Sequence, residues 1–300
     1  MSNSSVGHWI KAARLRTLPL ALSTIISGGA IALSINKFDG LIFSLAILTT
    51  ILLQVLSNFA NDYGDFKNGA DLVEGREDRM LSSGAISESQ MKRGLLIMVI
   101  LSFISGITLL FISFGIEQLI KIFILLAIGL GAIWAALKYT AGKNPYGYRG
   151  LGDVFVFIFF GLVGVMGSAY LFSQEFLWFS RTYAFAIGAL SVAVLNLNNM
   201  RDIPTDKEVD KITIPVRLGL EKAKVYHVML FLVAWFYLGL TLWGNFHWIK
   251  LTFLLPLALH IKHLIFVFKI TENKALDGEL KKIAISTFMI SILLISVQLF

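Results

Sequence analysis

The chain contains no cysteine, which excludes disulfide staples and thiolate metal centres. Charge is scarce as well. Only 15% of the 300 residues are Asp, Glu, Lys or Arg, 56% are hydrophobic and the mean hydropathy is +0.76. Water-soluble domains carry about 25% charged residues, so this balance excludes an ordinary soluble domain and points to lipid as the solvent. Strict alternation of polar and apolar positions is also missing. That excludes a membrane barrel, whose strands face lipid and lumen by turns.

What is present is a series of long apolar runs separated by short polar segments. Crossing the hydrocarbon core takes about 20 mostly apolar residues per helix. Nine runs qualify, at 18–33, 41–60, 94–114, 119–137, 154–172, 184–200, 227–242, 251–268 and 285–299. The expected fold class is therefore all-α, a polytopic membrane protein with about nine transmembrane helices. The first run has a basic start and small residues between Ser27 and Ala30, which lends it a superficial likeness to a cleaved leader. Eight further spans make a first transmembrane helix the simpler assignment.

Of the 26 Lys and Arg residues, 22 fall on the N-terminal side of this topology, and only Lys37, Lys121, Arg181 and Lys250 fall on the other. The positive-inside rule then places the N-terminus in the cytoplasm and the C-terminus outside. The net charge of +7 is spread over inter-helix loops, which argues against a nucleic-acid partner. The acids carry more information. All but Asp39, Glu117 and Glu175 lie on the inner side as well, although topology does not require it.

Two acidic constellations stand out. At the inner end of the second span lie Asn58, Asn61, Asp62, Asp65 and, further on, Asp71. Residues four apart are neighbours on a helix, so Asn58 meets Asp62 and Asn61 meets Asp65. At the inner end of the sixth span lie Asn198, Arg201, Asp202, Asp206 and Asp210, with Pro204 predicting a break or fresh helix start between the acids. A single loop carboxylate is ordinarily a solvated charge. Two dense sets at equivalent helix ends repel unless a cation relieves them, and oxygen ligands of this kind suit Mg²⁺, which completes its shell with water and substrate phosphates.

Four spans separate the constellations. The expected organisation is one domain over residues 1–300, built from two four-helix pseudo-repeats plus a ninth helix, with both acidic ends facing one cavity.

Between the two sets come Tyr139 and Lys143, four residues apart, then Arg149. Lysine neutralises a departing diphosphate as a point charge and arginine forks onto phosphate oxygens, so Lys143, Arg76, Arg79 and Arg201 are diphosphate candidates. Each also satisfies the positive-inside rule on its own. Arg14 and Arg16 are either lipid-surface anchors or cations for an anionic acceptor. His260 and His263 are expected at the membrane interface without catalytic duty.

Taken together, residues 14–19 (Arg-Leu-Arg-Thr-Leu-Pro), 61–65 with Gly69 and Asp71, 139–143 (Tyr-Thr-Ala-Gly-Lys), 150–153 (Gly-Leu-Gly-Asp), and 198–202 leading to 213–219 resemble the UbiA superfamily of intramembrane aromatic prenyltransferases. Within it they resemble the 1,4-dihydroxy-2-naphthoate polyprenyltransferases of menaquinone synthesis. Gly69 followed by Asp71 favours that branch over the 4-hydroxybenzoate branch. Asp210 departs from its usual glycine, so no ligand role is assigned to it.

The resemblance implies nine helices around a central cavity, capped by cytoplasmic helical loops and open sideways to lipid, in the cell inner membrane. It implies that Asn61, Asp62, Asp65, Asp202 and Asp206 hold Mg²⁺ ions bridging the diphosphate of a polyprenyl diphosphate donor. Arg76, Arg79, Lys143 and Arg201 would then absorb the remaining charge. Asp65, Asp71, Asp202, Lys143 and Tyr139 are the expected catalytic residues, with Asp71 or Asp202 as candidate acceptor of the phenolic proton. The implied partner is an aromatic acid that loses CO₂ on prenylation. Two rivals remain at this level: prenylation of 4-hydroxybenzoate or homogentisate, and a transporter, whose coupling acids ordinarily sit nearer the midplane.

Overall fold

The computed structural model describes residues 5–69, 79–142, 144–244 and 247–299. Among them every regular element is helical, and nine helices are long and apolar enough to cross a membrane. A short helix α1 (Val6–Ala13) turns at Arg14, whose φ of 47° is left-handed, into a single turn and then α2 (Leu18–Ser34), with Pro19 in the first turn where its missing N–H costs nothing. Then follow α3 (Gly40–Lys67), α4 (Glu88–Phe114), α5 (Leu119–Lys138), α6 (Gly152–Ser173), α7 (Ser180–Arg201), short α8 (Ile203–Glu208) and α9 (Ile214–Leu218), α10 (Leu220–Thr241), α11 (Leu254–Lys269) and α12 (Asp277–Leu299).

Caps set the boundaries where the sequence supplies them. Asp39 accepts from the N–H groups of Leu41 and Ile42 at the start of α3, and Ser87 with Gln90 forms a capping box at the start of α4. The 28 residues of α3 make a rod of about 42 Å at 1.5 Å per residue. A hydrocarbon core is about 30 Å thick. The last turns of α3, bearing Asn58, Asn61, Asp62 and Asp65, therefore stand at or beyond one membrane face.

The bundle is organised around α7 and α2, which have most of their residues buried inside the protein, whereas α3, α4 and α5 keep most of theirs for lipid. Small residues let the central helices approach. A Cβ added to Gly161 of α6 would stand 2.8 Å from the carbonyl oxygen of Ala184 on α7. The middle of α6, residues Phe157–Gly167, is wound as a π-helix, a form that concentrates at functional sites. Large apolar side chains such as Leu96, Ile120, Leu232 and Phe236 face outward, as lipid demands. Trp178, Trp243 and Trp248 are exposed together near the end opposite the acids, the placement of an aromatic belt.

The histidines correct one expectation. His260 and His263 do not lie at the membrane interface; they are buried between helices together with His227. His263 Nδ1 meets Glu279, so its Nε2 accepts from His227 Nε2 at 2.9 Å, and His227 Nδ1 accepts from Asn196 at 3.2 Å. The hydrogen-bond network assigns these tautomers. His260 accepts from Trp235 and meets Ser286. Each ring nitrogen finds a partner on another helix, which is why these residues tolerate burial in an apolar bundle. The chain of contacts ties α7, α10, α11 and α12 together.

Candidate active site

The acids at the end of α3 are buried against cations. Asp62 lies 3.7 Å from Arg14 and 3.7 Å from Arg79, and Asp65 lies 3.2 Å from Arg79. The left-handed turn at Arg14 brings its guanidinium back toward α3. Asn58 fastens that turn, donating to the carbonyl of Ala13 at 2.7 Å and to Thr17 at 3.0 Å. Both carboxylate oxygens of Asp62 are buried, and at 3.7 Å its arginine partners are not in close hydrogen-bond contact, an arrangement that leaves it able to ligate. Lys67 turns away to Glu88 at 2.8 Å.

Next to them sits the segment after α5. Thr140 donates to the carbonyl of Ala60 at 3.2 Å and to Asn61 Oδ1 at 3.3 Å, while Asn68 donates to the carbonyl of Thr140 at 2.7 Å. Tyr139 is held from the other side. Gly147 donates its N–H to the Tyr139 carbonyl at 3.0 Å, and Tyr146 packs edge-on at 5.4 Å. The Tyr139 phenol is pushed well above its ordinary value of 10.0, first by desolvation, then by Tyr146 and by the charges of Asp206, Asp153 and Asp65.

The second constellation straddles the break predicted at Pro204: α7 ends at Arg201 and α8 restarts at Ile203. Arg201 grips Asp202 with two hydrogen bonds of 2.7 and 2.9 Å, and also reaches Asn198 at 2.9 Å and Asp277 of α12 at 2.7 Å. Asp206 is fully buried and pairs with Lys211 at 3.2 Å. Asp210 has a φ of 52° and turns the chain away. Asp153 at the start of α6 accepts from Tyr226 at 2.8 Å.

Neighbours of these acids, Arg14, Asn58, Asn61, Tyr139 and Asn198, line one end of a cavity of about 520 Å³, within the range of small-molecule sites. Its polar end is lined by Arg14, Arg16, Asn61, Tyr139, Asn198 and Lys281, and its walls by aliphatic and aromatic side chains including Phe155, Phe159 and Phe160. Ala46, Leu109 and Leu126 line it too, so it runs most of the way down α3, α4 and α5. Among the described residues no three His, Cys, Asp or Glu side chains converge tightly enough to cage a metal alone. The donor set is nonetheless hard oxygen, with Asp62 held by ion pairs of 3.7 Å to Arg14 and Arg79. It fits a Mg²⁺ ion that keeps water and substrate phosphate in its shell rather than an all-protein cage.

Of the sequence-derived candidates, Asn61, Asp62, Asp65, Arg79 and Tyr139 are brought together, and Arg201, Asp202 and Asp206 form the second group. Asp71, Arg76 and Lys143 lie outside the described residues. Sequence reasoning passed over Asp277 and Lys281 of α12, which line the cavity; at the inner end of the last span they read as topology charges.

Among the described residues, nine membrane-crossing helices enclose an apolar cavity with two carboxylate groups beside its polar end, the arrangement of a polytopic membrane enzyme. The model of the UbiA prenyltransferase family matches residues 21–292. The chain is 42% identical over 297 residues to the 1,4-dihydroxy-2-naphthoate octaprenyltransferase of Haemophilus influenzae, covering 98% of this chain and 96% of that one. It is 39% identical to the Escherichia coli protein of the same name, over 91% of this chain and 89% of that one. Among solved structures, a UbiA homologue from Aeropyrum pernix superposes with a TM-score of 0.67 at 17% identity, covering 91% of this chain and 98% of that one. One from Archaeoglobus fulgidus bound to GPP and Mg²⁺ superposes with a TM-score of 0.60 at 17% identity, covering 95% and 99%. The chain belongs to the UbiA prenyltransferase family.

Proposed function

We propose that this protein transfers a polyprenyl group from a polyprenyl diphosphate to 1,4-dihydroxy-2-naphthoate, releasing diphosphate and CO₂ and giving the hydroquinone demethylmenaquinol, which oxidises in air and is recovered as demethylmenaquinone. One observation carries the reading: Asn61 of α3 and Asn198 of α7, four spans apart in sequence and each belonging to one acidic set, line the same polar end of one apolar cavity together with Tyr139. Carboxylates concentrated there require cations, and the diphosphate of a lipid-tailed donor brings both the need for metal and a tail that fills the cavity. The names of the relatives supply the acceptor and a long donor chain.

Asn61, Asp62, Asp65, Asp202 and Asp206 would hold Mg²⁺. Mg²⁺ supplies the positive charge that lets diphosphate depart. Arg79, 3.2 Å from Asp65, would take up diphosphate charge, with Arg76 and Lys143 assigned the same duty. Arg201 orients Asp202 and faces the leaving group only by releasing Asp277. Tyr139 keeps its proton and donates a hydrogen bond, which leaves Asp71 or Asp202 to accept the phenolic proton. The donor C–O bond breaks, and the allylic cation is sheltered by ring faces such as Phe155 and Phe159. A carbon–carbon bond then forms at the acceptor ring, and its carboxyl group leaves as CO₂.

The site would face the cytoplasm of an inner membrane, with the N-terminus on the same side. The acceptor arrives from water, whereas each methylene of the tail gains about 0.8 kcal/mol in lipid. Membranes containing the protein, given Mg²⁺ and a polyprenyl diphosphate, should yield demethylmenaquinone by mass spectrometry from 1,4-dihydroxy-2-naphthoate. Prenylated 4-hydroxybenzoate in its place would refute the acceptor assignment and keep the chemistry.

A further inference from the structure

The mechanism above leaves two cations of the cavity unused. Arg16 stands in the turn Leu15–Thr17 at the head of α2, and Lys281 one turn into α12; both line the cavity. The two elements are packed together, α12 running along α2 and touching that turn. Lys281 shares a helical face with Asp277 and Ala284, and all three line the same space.

The nearby charges are already committed. Asp277, four residues before Lys281, is held by Arg201 at 2.7 Å, and Arg14 is drawn to Asp62. Among the described residues no acid forms an ion pair with either Arg16 or Lys281. Both side chains are exposed at the mouth of a largely apolar chamber, and among the described residues neither has an acid paired with it, whereas Asp62, Asp65, Asp202 and Asp206 each have a basic neighbour. The excess is positive, at the rim where α2 meets α12, and it suits a small organic anion.

We propose that Arg16 and Lys281 form the subsite for the carboxylate of the aromatic acid acceptor. This rests on reading the cavity as the place of prenyl transfer. A carboxylate entering the chamber loses water, a cost met only by charge-assisted hydrogen bonds. Arginine supplies a planar fork and lysine a point charge. The pair selects and orients the acid; it does not take part in bond making. A ring without the carboxylate gains nothing from it.

The test measures KM separately for acceptor and donor in membranes carrying the wild type, Lys281→Met and Arg16→Gln, together with competitive inhibition by naphthalene-1,4-diol, which lacks the carboxylate. Each neutral variant should raise KM for 1,4-dihydroxy-2-naphthoate about tenfold or more, as expected for a lost bond to a charged group. KM for the polyprenyl diphosphate and inhibition by the diol should stay unchanged. Lys281→Arg and Arg16→Lys, which keep the charge, should recover most of the affinity. An unchanged acceptor KM overturns the proposal, as does a loss of diol inhibition in parallel with the loss of acid binding, which would mean a distorted ring site. Wild-type membranes that prenylate no aromatic acid at all would overturn the reading of the cavity and the subsite with it. An active wild type with indifferent variants overturns the subsite alone.

Discussion

Gly64 and Thr140 meet without room for a methyl group between them: a Cβ at Gly64 would stand 2.4 Å from the Thr140 hydroxyl oxygen and 2.8 Å from the N–H nitrogen of Ala141. The contact sets the distance between the acids of α3 and the segment that carries Tyr139. Gly64→Ala should therefore push that segment away, destabilising the protein by about 1–3 kcal/mol through overpacking. Activity should fall about a hundredfold, since small misplacements of a site are costly. Initial rates alongside thermal unfolding in detergent check both; a fully active, fully stable variant would show that this contact does not position the site.

Asp65→Asn and Asp206→Asn should each lower kcat/KM about a hundredfold or more, because the charge stabilisation supplied by a bound metal amounts to several kcal/mol. Both should also raise the Mg²⁺ concentration needed for half-maximal rate. Lys67→Ala is the control on the same helix: Lys67 is engaged by Glu88, so activity should stay within about twofold, as for other exposed pairs. Mg²⁺ titration of the rate in each variant distinguishes a ligand from a merely nearby charge.

Desolvation raises the Tyr139 phenol, so its contribution to folded-state stability is complete below its ordinary value of 10.0 and is lost only as pH climbs above it. Between pH 6 and 9, on the order of the working range of general acid–base groups, Tyr139 should stay protonated. Tyr139→Phe should then give a lower pH–rate curve of the same shape. A limb present in the wild type and missing in the variant would make Tyr139 a titrating base.

His263 links His227 to Glu279 inside the bundle. His263→Leu should cost about 2–4 kcal/mol by leaving two buried polar groups without their partner, read as a fall in melting temperature in detergent. Because the histidines lie outside the two acidic constellations, KM for the donor should hold in whatever fraction folds.

The bundle was legible in the sequence because its nine runs are continuously apolar, a signal set by membrane thickness alone. The acids were legible because i, i+4 spacing is local, and the break at Pro204 because proline acts within one turn. What was not legible depends on tertiary contact. The ion pair of Arg14 with Asp62 rests on a left-handed residue that sequence does not announce. His260 and His263 looked like interfacial residues because their partners, Glu279, Ser286 and His227, lie on other helices. Lys281 reads as one more inner-side lysine until the face of α12 that lines the cavity is known. The winding of α6 as a π-helix, which shifts side-chain register along Phe157–Gly167, has no counterpart in a run of apolar residues.

The central claim is that carboxylates from the two constellations use Mg²⁺ to drive prenyl transfer from diphosphate to a naphthoate. It is tested most directly by following demethylmenaquinone and released diphosphate in membranes supplied with a polyprenyl diphosphate and 1,4-dihydroxy-2-naphthoate, first with Mg²⁺, then with EDTA, then with Mg²⁺ restored. The account predicts both products in equal amounts, their disappearance with EDTA and their return with the metal. Product formation that persists undiminished in EDTA, or none with Mg²⁺ in demonstrably folded protein, would contradict it.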